Sequence, residues 1–364
     1  MNADDLHPAE ADLAAHNMPP TPQKVETASF EDSTLRESLD LVDLVDCTFR
    51  DIVWHGTLRR VRFVRCRLVN VQWHSTCFED VCWDDCVFER VRFEACSLDR
   101  CNFTGGTAKG IGLRKSALVN CTSSQAEWEQ LLLAESTVEH WALVDCKLGD
   151  VEFSEARVID LAIAECEVTD LRMYSLALMR LVASGSKLHS MILVDCAGSS
   201  NQWIGCELRL ARYEGVRLRQ CGWTRSEWRD GHFLRSNLEL AAFNEAVLHG
   251  VQWIESPCDR PIFDGARLAD CRLNAQSMPG LSLRDATLDG VDLRGLQARG
   301  LDARGARFNG TRLDGVDASG AVLIGQLRST WRGAKLPGAR FEEEPDLRDD
   351  AWWETHKPGP NPKE

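Results

Sequence analysis

From Leu58 to Leu323 a bulky apolar residue returns at every fifth position. Of the 54 positions on this beat, 52 are apolar, the exceptions being Ser123 and Gly198. The chain is 44% hydrophobic, so chance alone would supply about 24. All ten Phe of the window fall on the beat, as do seven of its eight Trp, with Trp141 the exception. A helix would space its apolar residues by three and four, and an ordinary strand by two. Neither architecture fits a period of five.

Two residues before each beat position lies a small or branched residue, as at Ala156, Leu161, Cys166 and Leu171. The other three positions are mostly polar. Two inward and three outward residues describe one side of a four-sided coil. Four sides make a turn of about 20 residues, and turns stack at the strand spacing of roughly 4.8 Å. One repeat cannot bury its own apolar pair; stacking does so. Residues 20 apart then form interior ladders, such as Phe63–Trp83–Phe103 and Trp73–Phe93–Leu113. The window holds about 13 turns, or about 64 Å of stack at that spacing.

The stretch GVDLRGLQARGLDARGARFNGTRLDGVDASGAVL, residues 290–323, resembles the pentapeptide-repeat consensus A(D/N)LxX. The N-terminal half keeps the frame with Cys or Val in place of Ala, and Phe or Trp in place of Leu. The resemblance implies an all-β fold, a right-handed quadrilateral β-helix, over residues 28–341. Phase breaks are expected near 54–58, where Phe49 and Trp54 fall one residue out of step, and over 324–335, where IGQLRSTWRG forms a bulge or loop. Gly198 leaves a gap in its column. Residues 1–27 read as a disordered or capping segment and 342–364 as an acidic, Pro-rich tail. Because an open solenoid end invites aggregation, Trp352 and Trp353 are candidates to cover the last turn or to anchor another chain.

Twelve of the fifteen cysteines occupy the small inward position. In-register stacking keeps their Cβ vectors parallel, which suits no relaxed disulfide. Multiples of five are not the C-x₂₋₄-C pairs of a thiolate metal site. They read as small buried hydrophobes in a reducing compartment, most simply the cytoplasm. Cys77 and Cys82 should face outward. The glycine-rich GGTAKGIGLRKS, residues 105–116, lacks the order of a phosphate-binding loop. No signal peptide or membrane span is expected. A filled interior offers no pocket for converging polar groups, so no catalytic residue, cofactor or metal is expected and the chain reads as a non-enzyme.

The net charge of −14 favours basic partners over nucleic acid or anionic membrane. Twelve acids lie between Glu127 and Asp170 against Lys147 and Arg157 alone. Within this belt Asp145, Asp150, Glu152, Glu155, Asp160, Glu165, Glu167 and Asp170 form the candidate partner-binding surface. Arg59, Arg60, Arg62, Arg65 and Arg67 make a basic patch nearer the start. The leading reading is a scaffold or adaptor that offers rigid faces to a protein partner. Some long, Cys- and Trp-rich pentapeptide-repeat proteins of Gram-negative bacteria accompany type VI secretion components, and the general resemblance to them implies an accessory role there as one form of the adaptor reading. The alternative implied by the family is an acidic DNA mimic that occupies the DNA-binding saddle of a type II topoisomerase such as gyrase. An uncovered end favours head-to-head pairing of two copies.

Overall fold

A computed structural model of the protein describes residues 22–342, residue 275 excepted. Trp352, Trp353, residues 1–21 and the tail beyond Glu342 lie outside the described residues. The chain divides into two compact units at Ala177/Leu178. Each is a parallel β-solenoid built on the five-residue beat.

The beat dictates a local structure. A small residue in, a polar residue out and a bulky residue in is the alternation of an extended strand. The next residue points out, and the one after it is a corner. The corner adopts left-handed φ whatever its side chain, as at Arg60 (+53°), Arg65 (+50°), Asn70 (+54°) and Ser75 (+51°). That conformation costs a non-glycine residue about 1–2 kcal/mol. The ladder holds it in place, because corner N–H groups donate to the neighbouring turn: Arg65 N to Asp84 O at 2.8 Å and Ser75 N to Glu94 O at 2.9 Å. In the first unit several strands run eight residues over two sides, among them Val87–Glu94, Glu127–Ala134 and Lys147–Ser154. In the second unit strands shorten to three residues. There the corners tighten into turns such as Ser226 N to Trp223 O (3.3 Å) and Ala246 N to Phe243 O (3.1 Å). Positive φ at the third residue of such a turn suits glycine, which is why the glycine-rich stretch matches the consensus best.

Register follows the 20-residue offset. Phe63 lies against Trp83 (ring centroids 5.8 Å) and Trp83 against Phe103 (4.5 Å). In the second unit Trp203, Trp223, Phe243 and Phe263 stack at 5.0, 4.8 and 4.6 Å. Two exceptions to the beat explain themselves. At Ser123 the small centre makes room for the out-of-frame Trp141, whose Nε1 donates to Ser123 Oγ at 3.3 Å. At Gly198 there is no gap: a Cβ built there would meet the Leu178 carbonyl oxygen at 1.7 Å. The neighbouring Asn201, fully buried, accepts from Leu181 N at 2.9 Å and donates to Leu178 O at 3.4 Å. The sequence reading of a vacant column is therefore corrected to a close backbone approach.

The frame also starts earlier than residue 28. Strand Gln23–Glu26 pairs in register with Val42–Val45. The shortened side at Trp54–Leu58 stacks on a second four-residue side, Leu35–Leu39. At the other end Trp331, on the 3₁₀ turn Arg328–Trp331, is buried at 1% exposure and meets Phe308 edge-on at 5.2 Å. The expected loop over 324–335 thus carries its own plug.

Thirteen cysteines are buried, Cys82 is half-buried and Cys77 is exposed. They do more than fill space. Several inward thiols donate to a carbonyl of the neighbouring turn, as in Cys86 Sγ to Phe63 O (3.3 Å), Cys96 Sγ to Trp73 O (3.3 Å) and Cys271 Sγ to Leu248 O (3.4 Å). Ser116 and Ser226 make the same bond, to Phe93 O at 3.2 Å and Trp203 O at 2.8 Å. Small donors are thus selected at this position because a buried carbonyl without a partner is costly. Burial pushes the Cys96 thiol up to about 11 and those of Cys258 and Cys271 up to about 12. Only thiolates react quickly. With a disulfide reagent at pH 8, Cys77 should therefore titrate at once and Cys82 slowly. The other thirteen are sealed off by packing and should respond only in denaturant, including Cys66, Cys121 and Cys146, whose thiols the stacked neighbours Cys86, Cys101 and Cys166 pull down; rapid titration of more than two in the folded protein would contradict the packing.

Candidate functional site

The candidate acids all belong to the first unit, and six are corners: Asp145, Asp150, Glu155, Asp160, Glu165 and Asp170. Glu152 and Glu167 instead sit on sides, next to the inward Phe153 and Val168. Corners five apart fall on successive edges, so the eight do not share one surface. The register Lys147–Gly149 against Glu167–Thr169 defines one side. Asp145 and Glu165 stand one turn apart along one of its edges, and Asp150 and Asp170 along the other. Five candidates thus gather here: Asp145, Asp150, Glu165, Glu167 and Asp170. Glu152, Glu155 and Asp160 face elsewhere.

This side is a shallow groove of about 540 Å³. It runs over Phe88, Ala108, Trp128 and Leu148, with Gly149 and Thr169 keeping it open. Ala108 is the small centre in this stack, and its neighbour Gly106 admits no side chain, since a Cβ would meet Cys86 O at 2.1 Å. The glycine-rich stretch is therefore part of the coil, in strand Thr107–Arg114. Two ion pairs cross the floor, Lys109–Glu129 and Lys147–Glu127, both at 2.8 Å. The Glu127 carboxylate raises the Lys147 amine above its usual range, so it stays charged.

Nearer the start of the first unit, arginines one turn away pair with many of the acids. Arg59–Glu79 (2.8 Å), Arg60–Asp40 (2.6 Å), Arg65–Asp46 (2.8 Å) and Arg67–Glu89 (2.6 Å) are such pairs, and Arg62 approaches Asp84 at 3.4 Å. Arg60 and Arg65 hold the Asp40 and Asp46 carboxyls below the usual range. The basic patch expected from residues 59–67 is thereby cancelled in place. Within the belt, Arg172 bonds Asp150 and lies 3.4 Å from Glu152, and His140 lies 3.3 Å from Asp160. Among the described residues Asp145, Glu155, Glu165 and Asp170 are exposed and have no ion pair. Three of these four rim the groove. Sequence counting found the acids; it had no means of telling paired from unpaired, because pairing depends on which residue stands 20 positions away.

Among the described residues no three His, Cys, Asp or Glu side chains are placed to hold a metal, and no helix is long and apolar enough to cross a membrane.

Residues 266–302 match the family model for pentapeptide repeats, in 8 copies. A comparison with curated proteins finds no match. Among solved structures, full-length QnrB1, a plasmid-mediated fluoroquinolone resistance protein, is 16% identical; the match covers 60% of this chain and 94% of that one, with a TM-score of 0.24. HetL, a pentapeptide-repeat protein involved in heterocyst differentiation regulation from the cyanobacterium Nostoc sp., is 14% identical over 84% of this chain and 94% of its own, with a TM-score of 0.15. A pentapeptide-repeat protein of the Arabidopsis thaliana thylakoid lumen is 19% identical over 33% and 68%, with a TM-score of 0.14. Such low scores leave the assignment to the repeat itself. Residues 266–302 thus carry pentapeptide repeats, and the same two-in, three-out frame is built into strands and left-handed corners from Gln23 onward, which makes the chain a pentapeptide-repeat β-solenoid in its fold.

Proposed function

We propose that the protein is a non-catalytic binding module of the cytoplasm that captures a protein partner bearing a row of lysines or arginines. The partner lies along the groove over Phe88, Trp128 and Leu148, and its cations meet Asp145, Glu165 and Asp170. The observation that carries this reading is that both edges of one groove hold carboxylates without an ion pair among the described residues, while the acids of its floor, Glu127 and Glu129, are paired. Left unanswered, such charges steer a basic partner and fix its register. The free thiols agree with a reducing compartment.

The test is capture from the native cell by the wild type and by the triple variant Asp145→Lys, Glu165→Lys, Asp170→Lys. The variant should keep its circular dichroism and melting temperature, because among the described residues none of the three side chains has an ion-pair partner to lose. It should lose the captured protein, and added salt should weaken wild-type capture. The same proteins on both baits would sink the proposal. A type VI secretion component is one partner this capture would reveal. Reversing Asp150 or Glu152 is a poorer choice than sequence alone suggests, since each would then oppose Arg172.

The DNA-mimic alternative asks for longer acidic edges. Below Asp145 the same edge continues with Gln125 and Gly105, and below Asp150 with Gln130 and Gly110. Two carboxylates one turn apart span only about 5 Å. Inhibition or protection of gyrase supercoiling at micromolar protein would restore that alternative.

A further inference from the structure

From Arg59 to Arg114 the first unit carries nine arginines, and seven of them pair with a carboxylate. The exceptions are Arg90 and Arg92. Both are exposed, and among the described residues neither has an ion pair. The reason lies one turn away on either side. Arg92 stands in register between Gln72 of the preceding turn and Gly112 of the following one. Arg90, a left-handed corner, stands between Asn70 and Gly110. Where the other arginines find an acid, these two find an amide and a glycine. The glycines also clear the approach: a Cβ at Gly110 would lie 3.6 Å from Arg90 Cα, and one at Gly112 would lie 3.9 Å from Arg92 Cγ. On the other side Asn70 is fixed, since its Nδ2 donates to Asp51 Oδ1 at 2.7 Å and its Oδ1 accepts from Arg90 Nε at 2.5 Å. That bond leaves the two terminal nitrogens of Arg90 available. The Gln72 amide has no hydrogen-bond partner among the described residues. Asn70, Gln72, Arg90 and Arg92 line one groove of about 350 Å³.

We propose that this groove binds a small phosphate monoester, whose dianion lies between the Arg90 and Arg92 guanidinium groups and accepts a further hydrogen bond from the Gln72 amide. Guanidinium forks match phosphate oxygens and bond them in pairs. The volume falls at the low end of the roughly 300–1,000 Å³ of small-molecule sites, which suits a free small molecule. The bond from Asn70 holds Arg90 toward the groove. The glycine-rich stretch 105–116 thus serves an anion without being a phosphate-binding loop. It contributes the space that side chains at Gly110 and Gly112 would fill, and it withholds the acids that would answer the two arginines. This inference does not depend on the acidic groove.

The experiment titrates the full chain with phenyl phosphate by calorimetry at physiological salt. It does the same for the double variant Arg90→Gln, Arg92→Gln and for Gly112→Asp. Gly112 does not have left-handed φ, and a Cβ there makes only ordinary contact, so an aspartate fits and hands Arg92 the acid it lacks. The wild type should bind one phenyl phosphate per chain. Both variants should keep their circular dichroism and bind at least tenfold more weakly. Acetate and a phosphate diester, each with a single negative charge, should also bind the wild type at least tenfold more weakly than phenyl phosphate. The proposal is overturned if the wild type shows no saturable binding, if either variant binds like the wild type, or if acetate and the diester match phenyl phosphate. A phosphoserine peptide or an anionic vesicle that binds the wild type at least tenfold more tightly than phenyl phosphate would overturn the assignment to a small molecule.

Discussion

Gly198→Leu should unfold the turns around it, although it restores an apolar residue to the five-residue beat. Inspection of the repeat alone would recommend this change as cavity filling. The structure forbids it, because even the Cβ would lie 1.7 Å from Leu178 O and 2.7 Å from its carbonyl carbon. Those are backbone atoms in a hydrogen-bonded ladder and cannot swing aside. Overpacking typically costs 1–3 kcal/mol when side chains can adjust. Here the ladder itself must part, and a loss of about 4 kcal/mol or more is expected. Gly300→Ala is the control, since its Cβ would meet nothing within 4 Å and only the left-handed corner opposes it, at about 1–2 kcal/mol. Denaturant midpoints for the two variants check the contrast. A Gly198→Leu protein as stable as the wild type would mean that the chain does not pass so close to Leu178.

Trp73→Glu should be as damaging for a different reason. Trp73 is fully buried, stacked on Phe93 at 4.6 Å and edge-on to Phe78 at 5.4 Å. A carboxylate there would have no cation and little water. Burying an unpaired charge costs several kcal/mol even when protonation relieves part of it. The lost aromatic contacts add about 3–5 kcal/mol. Loss of folded far-ultraviolet signal and rapid proteolysis of the first unit are expected. Phe153→Asp, also buried, tests the same point elsewhere in that unit. Trp73→Phe keeps the stack and should remain folded.

The interior was legible because stacking makes it so: a residue such as Phe63 must be followed 20 positions later by something that packs on it, and Trp83 does. The expected compensation failed to show at Ser123 only because its partner, Trp141, sits at the other inward position. The corners were not legible. Arg60, Ser75, Gln125 and His140 have no intrinsic liking for left-handed φ, and the ladder imposes it on them. Gly198 was misread for a related reason, since a missing side chain looks the same in sequence whether the space is empty or filled by backbone. The acids of the belt were visible as composition. Their division into paired Asp150 and unpaired Asp145 is decided by what stands one turn away, Arg172 in one case and Glu165 in the other side's column. The groove arises from small residues at Ala108, Gly149 and Thr169, each unremarkable alone.

The two shortened sides, Leu35–Leu39 and Trp54–Leu58, lie one above the other. On its other face, however, the Trp54–Leu58 side meets Trp73–Phe78, a full five-residue side. Neighbouring layers therefore need not share one perimeter, because a single corner takes up a one-residue difference while the sides before and after it keep their pairing. An insertion or deletion at such a seam would be felt locally and would not have to be matched in every layer of the stack.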